Sequence, residues 1–200
     1  MHFDINFYFD GKIKEQDTII SLPGRVVQRK GFIEALEALS KIKKKRNCKL
    51  IITGMARPYD KRFANQILKL AKKLGIQKNL LIPSKLILRR HLPLILKRSN
   101  IVITPSYYEG LGLTAIEALA VGRPLILTNV PGLNEIGVHE KNCLMIPPQN
   151  SDALGHAILK LLNNKPLAEY LAKNGTKSIK IFNNKKFTHK LEKVYKNLIR

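Results

Sequence analysis

The sequence predicts an α/β fold: a Rossmann-like doubly wound parallel sheet of about six strands, with helices on both faces and a helical C-terminal tail. Three observations carry this prediction. A short apolar run, a turn and a longer segment of helical period follow one another several times. Within the longer segments Leu, Ile and Ala recur at spacings of three and four on a Lys-rich background, the pattern of helices packed on one side. Beyond Asp152 the strand-like runs stop and only helical periodicity continues. Two hundred residues suit one domain of ordinary size, or one and a small appendage, and 44% hydrophobic residues suffice for a proper core.

The elements follow in order. Residues 1–17, opening "MHFDINFYFDGK", read as an aromatic, irregular lead-in to a domain covering 18–200. Strands are predicted at Thr18 to Leu22, Lys49 to Thr53, Asn79 to Pro83, Asn100 to Pro105, Pro124 to Thr128 and Cys143 to Pro147. Helices are predicted between them at Phe32 to Lys45, Lys61 to Leu74, His91 to Lys97 and Leu113 to Val121. Gly75 and Gly122 follow two of these, where a left-handed C-cap is easiest for glycine. The tail is read as helices over Asp152 to Asn163, Pro166 to Asn174 and Lys185 to Ile199, with Asp152 and Pro166 as start signals. No internal repeat or low-complexity tract interrupts the pattern.

Composition narrows the partners. Thirty-six Lys and Arg against fourteen Asp and Glu give a net charge of +22, which attracts nucleic acid, acidic lipid or phosphorylated small molecules without choosing among them. Frequent Lys, Ile and Asn also fit a compositional habit of the source genome. Runs such as "KIKKKR" at Lys41 to Arg46 read as solvated helix faces, or as tracks for phosphates or anionic lipid. Few aromatic residues are interleaved with the basic ones, which disfavours single-stranded nucleic acid. Cys48 and Cys143 are too few for a disulfide framework or a four-ligand zinc site, so a reducing compartment is expected. No apolar run approaches the roughly 20 residues needed to span a bilayer, and the opening lacks the regions of a secretory signal. The expected location is cytoplasmic, with an anionic inner membrane surface as a candidate partner. Asn174-Gly-Thr then reads as a surface turn rather than a glycosylation site.

Open parallel sheets bind ligands beyond the carboxyl ends of their strands, which singles out two loops. The first, "LPGRVVQRKGF", offers Gly24 and Gly31 for a tight path and sets Arg25 and Lys30 beside the start of the helix near Phe32. A helix start with two cations suits a diphosphate. A solvated basic turn is the alternative. The second loop, within "TPSYYEGLGLTAIEALAVGRPLI", has Gly110 and Gly112 for close backbone approach and amides of Leu111, Gly112, Leu113 and Thr114 at the helix start. Glu109 precedes that helix and Glu117 lies just over one turn inside it. Either they are a dipole-favoured acid and a hydrogen-bonded buried one, or both face a ligand. Glu117 sits in an apolar stretch and needs donors, which sugar or ribose hydroxyls would supply.

"GRVVQRKGF", then "PSYYEGLGLTAIEALAVGRPLI", "PGLNEI" and "NCLMIPPQNSDALGHAI" together resemble the C-terminal domain of the family-4, group 1 retaining glycosyltransferases of the GT-B fold, over roughly Ile19 to Tyr195. The resemblance implies a hexosyltransferase-type enzyme of polysaccharide or lipopolysaccharide synthesis. Its donor would be a nucleotide-diphosphate sugar, with no metal and no further cofactor, and its acceptor a saccharide or a lipid-linked one. It makes Arg25 and Lys30 the cations on the diphosphate, sets Glu109 against the donor sugar, and gives Glu117 the ribose. The amides of Gly110 to Leu113 would contact sugar hydroxyls or phosphate, with Gly24 and Thr114 beside them. Three departures accompany it. The turn usually written G-x-G reads "GMARP" at Gly54 to Pro58, Leu111 replaces a usual Phe, and the N-terminal acceptor domain is expected to be absent. Transfer would then require that missing half or a partner subunit. The alternative expectations are a basic polyanion- or membrane-binding module, or a noncatalytic remnant.

Overall fold

The structure, a computed structural model, describes residues 4–182 and 184–198. Six parallel strands form one sheet: β1 Thr18–Leu22, β2 Cys48–Ile52, β3 Leu80–Leu81, β4 Ile101–Thr104, β5 Leu125–Thr128 and β6 Leu144–Ile146. Their spatial order is β3-β2-β1-β4-β5-β6, with every neighbouring pair parallel. The chain therefore winds outward one way from β1 and the other way from β4. The β1/β4 junction is the point where the order reverses, and a crevice opens there beyond the strand ends.

The strands are mostly apolar because both faces are covered, but alternate residues serve different cores. Ile20, Leu22, Leu50, Ile52, Ile101, Ile103 and Ile126 face one large cluster. On that side lie α1 Phe32–Ile42, α2 Lys61–Lys73 and α5 Ser151–Asn163, which contribute Leu36, Ile67 and Leu154. Val102, Leu125 and Leu127 face the opposite cluster, with α3 Leu92–Arg98 and α4 Leu113–Ala120. α6 Lys165–Ser178 packs against α4 and α5, and α7 Asn184–Leu198 ends the described chain. The fully buried polar residue of β1 is Ser21, whose hydroxyl lies 2.6 Å from that of Ser99, itself donating to the Ile95 carbonyl.

The predicted elements are present, with shifted ends. β3 is two residues long rather than the expected Asn79 to Pro83, and α1 stops at Ile42 rather than Lys45. The expected helix end at Ile199 and the first three residues of the lead-in lie outside the described residues. The rest of the lead-in is more ordered than expected. Ile5–Tyr8 forms a 3-10 turn, and Tyr8, Phe9 and Ile13 form a third buried cluster with Ile19, Ile51, Leu81 and Ile95. No helix among the described residues is long and apolar enough to cross a membrane.

Candidate functional site

The two loops singled out in the sequence follow β1 and β4, the strands that flank the reversal point. They are fastened to each other. The Tyr107 amide donates to the Arg29 carbonyl at 2.8 Å, and the Tyr107 hydroxyl donates to Glu34 Oε1 at 2.7 Å. Gly31 sits at the crossing with φ 71°, and a Cβ there would lie 2.0 Å from the Pro105 carbonyl oxygen. Only glycine satisfies both the left-handed backbone and that approach.

At this crossing Gly31 and Phe32 are buried, and Gly31 lies against Pro105 of the β4 loop. Like α1, α4 starts without a side-chain cap. Its N-cap is Gly112, at φ 63° with no side-chain cap, so the first amides of α4 are left for an outside acceptor. Leu111 and Leu113 beside it are exposed. Gly112 is required where it stands, since a Cβ would meet Leu133 Cδ2 at 2.5 Å.

Glu109 and Lys30 meet beneath that helix start. Their side chains are only 7% and 10% exposed, and Lys30 Nζ donates to Glu109 Oε1. Ser106 Oγ donates to the same oxygen at 2.9 Å, and Arg29 Nη1 donates to Oε2 at 3.1 Å. Burial alone would raise the Glu109 carboxyl, but the Lys30 ion pair and hydrogen bond, with Ser106 and Arg29, outweigh it and hold the group below the usual carboxylate range. Gly24, at φ 112°, leaves open the space beside this pair. The position of its missing Cβ is 3.7 Å from Lys30 Nζ and 3.7 Å from Thr114 Cγ2. Gly24, Lys30 and Thr114 thus converge, and Thr114 Oγ1 is buried there without a hydrogen-bond partner among the described residues.

Arg25 and Glu117 are arranged differently from that pair. Arg25 is exposed, stacked 5.3 Å from the centre of the Tyr59 ring, and has no carboxylate partner among the described residues. Glu117 is half-buried on α4, and its carboxylate accepts no hydrogen bond from the described residues. Its burial raises the carboxyl, with the Arg89 charge opposing. Gly110 is exposed and open.

Sequence reasoning missed Arg29, Ser106 and Gly132. Arg29 adds a second cation to Glu109 and stacks 5.2 Å from the Tyr108 ring centre. Gly132, at φ 82°, lets the "PGLNEI" turn press against the carbonyls of Glu109 and Gly110, where a Cβ would lie 2.3 Å from the first. The sequence signal for Arg29 was its place beside Lys30. For Gly132 it was the Pro-Gly pair. The departing "GMARP" turn keeps a structural duty, because a Cβ on Gly54 would lie 2.2 Å from the Gly24 carbonyl oxygen. Among the described residues, no three or more His, Cys, Asp or Glu side chains gather to hold a metal ion.

Comparison with known proteins identifies the family and agrees with the fold. The model of the family described as glycosyl transferases, group 1, matches residues 5–178. An uncharacterised glycosyltransferase of Methanocaldococcus jannaschii is 29% identical over 185 residues, covering 88% of this chain and 46% of the relative. The lipopolysaccharide glucosyltransferase WaaG of Escherichia coli is 27% identical over 166 residues, covering 81% and 42%. The solved structure of sucrose-phosphate synthase from Thermosynechococcus elongatus superposes with a TM-score of 0.85 at 27% identity, covering 97% of this chain and 48% of that one. The chain thus spans less than half the length of each of these three proteins.

Proposed function

The chain belongs to the group 1 glycosyl transferases, and on that premise we propose that it holds a nucleotide-diphosphate sugar in the β1/β4 crevice for retaining transfer to a saccharide or lipid-linked acceptor. The observation that carries this reading is the convergence of Gly24, Lys30 and Thr114 under the uncapped start of α4. A diphosphate there accepts from the α4 amides and from Thr114, and Lys30 and Arg25 meet its charge. As the bond from the anomeric carbon to the phosphate oxygen breaks, negative charge grows on that oxygen, and the same cations stabilise it. The acceptor oxygen forms the new bond, and its proton passes to that departing phosphate oxygen. Positive side chains supply this stabilisation without a metal ion in the proposal.

Glu109 takes hydroxyls of the donor sugar, and Glu117 takes the ribose hydroxyls. Glu117 is suited to that task because it is a half-buried carboxylate with no donor among the described residues. The other half of a closed, water-excluding cleft is assigned to an acceptor-binding domain or subunit, since donor and acceptor must be held together for efficient transfer.

Calorimetric titration with uridine, guanosine and adenosine diphosphates and their sugars tests the donor assignment. One nucleoside diphosphate is expected to bind, and Arg25→Ala with Lys30→Ala to abolish most of that binding. Unchanged affinity in the double variant contradicts the assignment. Binding that ignores the nucleotide and falls steeply with salt would instead favour a general polyanion surface.

A further inference from the structure

At the opposite end of the sheet from the crevice, where β4 and β5 begin, residues 100–101 and 122–124 meet α5 and α6 around a cavity of about 340 Å³. Most of its wall is apolar, from Ile101, Pro124, Leu161, Leu162, Ala168 and Ala172. Arg123 breaks that pattern. Its Nε is buried without a hydrogen-bond partner, and its guanidinium makes no hydrogen bond or ion pair among the described residues. A place just past the C-terminal end of α4 favours a cation there. It does not account for a buried donor left unpaired, which folded proteins rarely tolerate. Burial and the like charge of Arg98 both disfavour the charged guanidinium, and Arg98 itself is held by the Lys14 and Glu15 carbonyls at 2.8 Å each. Asn100 is fixed on the other side of the cavity by two bonds to Ile19, one from its backbone amide and one to its Oδ1, each 2.8 Å. Its Nδ2 is left as a second donor without a partner among the described residues. At the rim, the side chains of Lys165 and Glu169 are 86% and 69% exposed and lie 3.7 Å apart, so the one carboxylate of the lining is offset by its own lysine.

We propose that this cavity is a second ligand site, for a small molecule that carries one carboxylate or phosphate on a short apolar body. It is separate from the donor crevice and stands whether or not the donor assignment does. The anion accepts from Arg123 Nε and a terminal nitrogen of the same guanidinium, a side-on fork that matches two oxygens of a carboxylate or phosphate. Asn100 Nδ2 supplies a further donor, and Lys165 adds positive charge at the mouth. The apolar body lies against Leu161, Leu162, Ala168 and Ala172, a wall that a bare inorganic ion leaves unused. An anion seated there both pairs the buried Nε and offsets the repulsion between Arg123 and Arg98.

NMR titration of the chain with hexanoate, hexyl phosphate, hexanol, acetate and inorganic phosphate tests the proposal. The tighter of hexanoate and hexyl phosphate is expected to bind about tenfold more tightly than hexanol, acetate or inorganic phosphate, and which of the two it is separates a carboxylate from a phosphate ligand. Its shifts are expected at the amides of Ile101, Arg123 and Ala168 rather than at those of Gly112 and Thr114. Arg123→Gln is expected to weaken that binding about tenfold without lowering Tm, because it removes a buried charge that has no partner. Ala172→Leu fills the cavity with a good helix former, and is expected to weaken binding as much at unchanged Tm. Hexanol or an inorganic ion binding as tightly, shifts confined to the crevice, or either variant binding like wild type would overturn the proposal. Equal losses of Tm in Arg123→Gln and Glu169→Gln would overturn it too, because they would show that Glu169 is the anion Arg123 holds.

Discussion

Glu109 carries its charge inside a ring of donors from Lys30, Ser106 and Arg29, whereas Glu117 carries its own without any among the described residues. The two carboxylates therefore depend on pH in opposite directions. The stabilisation from Glu109, whose carboxyl is lowered in the fold, is present above the ordinary carboxylate range and is lost as pH falls through the folded value. Asp17, lowered by Lys49 at 2.6 Å despite its burial, behaves the same way. In Glu109→Gln the decline of Tm below about pH 4 should be shallower than in wild type. Glu117 is raised by burial, so its ionisation costs stability as pH rises from the unfolded value through the folded one. Glu117→Gln should raise Tm of the free protein by about 2–4 °C and weaken nucleoside diphosphate binding roughly tenfold. Thermal melts and calorimetry on one sample check both. A variant that is less stable yet binds normally would show that Glu117 serves the fold rather than the ribose.

At the level of elements, the loops after β1 and β4 act as one unit because the Gly31 to Pro105 contact and both Tyr107 hydrogen bonds tie them. Gly31→Ala puts a methyl into the Pro105 carbonyl and strains a left-handed backbone. It should cost about 3 kcal/mol or more in denaturant unfolding, and a loss under about 1 kcal/mol would mean that the loops part easily. Tyr107→Phe removes the donor to Glu34 Oε1 and leaves that carboxylate with neither oxygen paired among the described residues, since Oε2 already lacks a partner. Its expected cost is about 1–2 kcal/mol, measured the same way. The predicted helix after β1 is present. Sequence shows where a helix starts. It does not show that the Pro105 carbonyl of the β4 loop, 74 positions onward, comes against Gly31 at that start.

Across the whole molecule, the sheet was legible because fully buried strands such as Ile101–Thr104 have no polar face to confuse with a helix. The order β3-β2-β1-β4-β5-β6 places the loops after β1 and β4 side by side, so Gly24, Lys30, Glu109 and Thr114, which the family resemblance set on one donor, lie in neighbouring segments. Long-range pairing remained hidden. Nothing near Tyr8 announces that its hydroxyl accepts from the Leu88 amide and is hydrogen-bonded with His91, or that Arg29 joins Glu109 eighty positions later. The net charge of +22 likewise said little about the site, where two cations and one carboxylate form a local set. In the empty protein Lys30 is the partner of Glu109, and in the proposed complex it turns to the diphosphate while Glu109 takes the sugar. Calorimetry of Glu109→Gln against wild type, with the bound nucleoside diphosphate and its sugar, tests that exchange most directly. Freed from the carboxylate, Lys30 should bind the diphosphate more tightly than in wild type, while the added affinity from the sugar disappears. Weaker diphosphate binding with the sugar increment intact would contradict it.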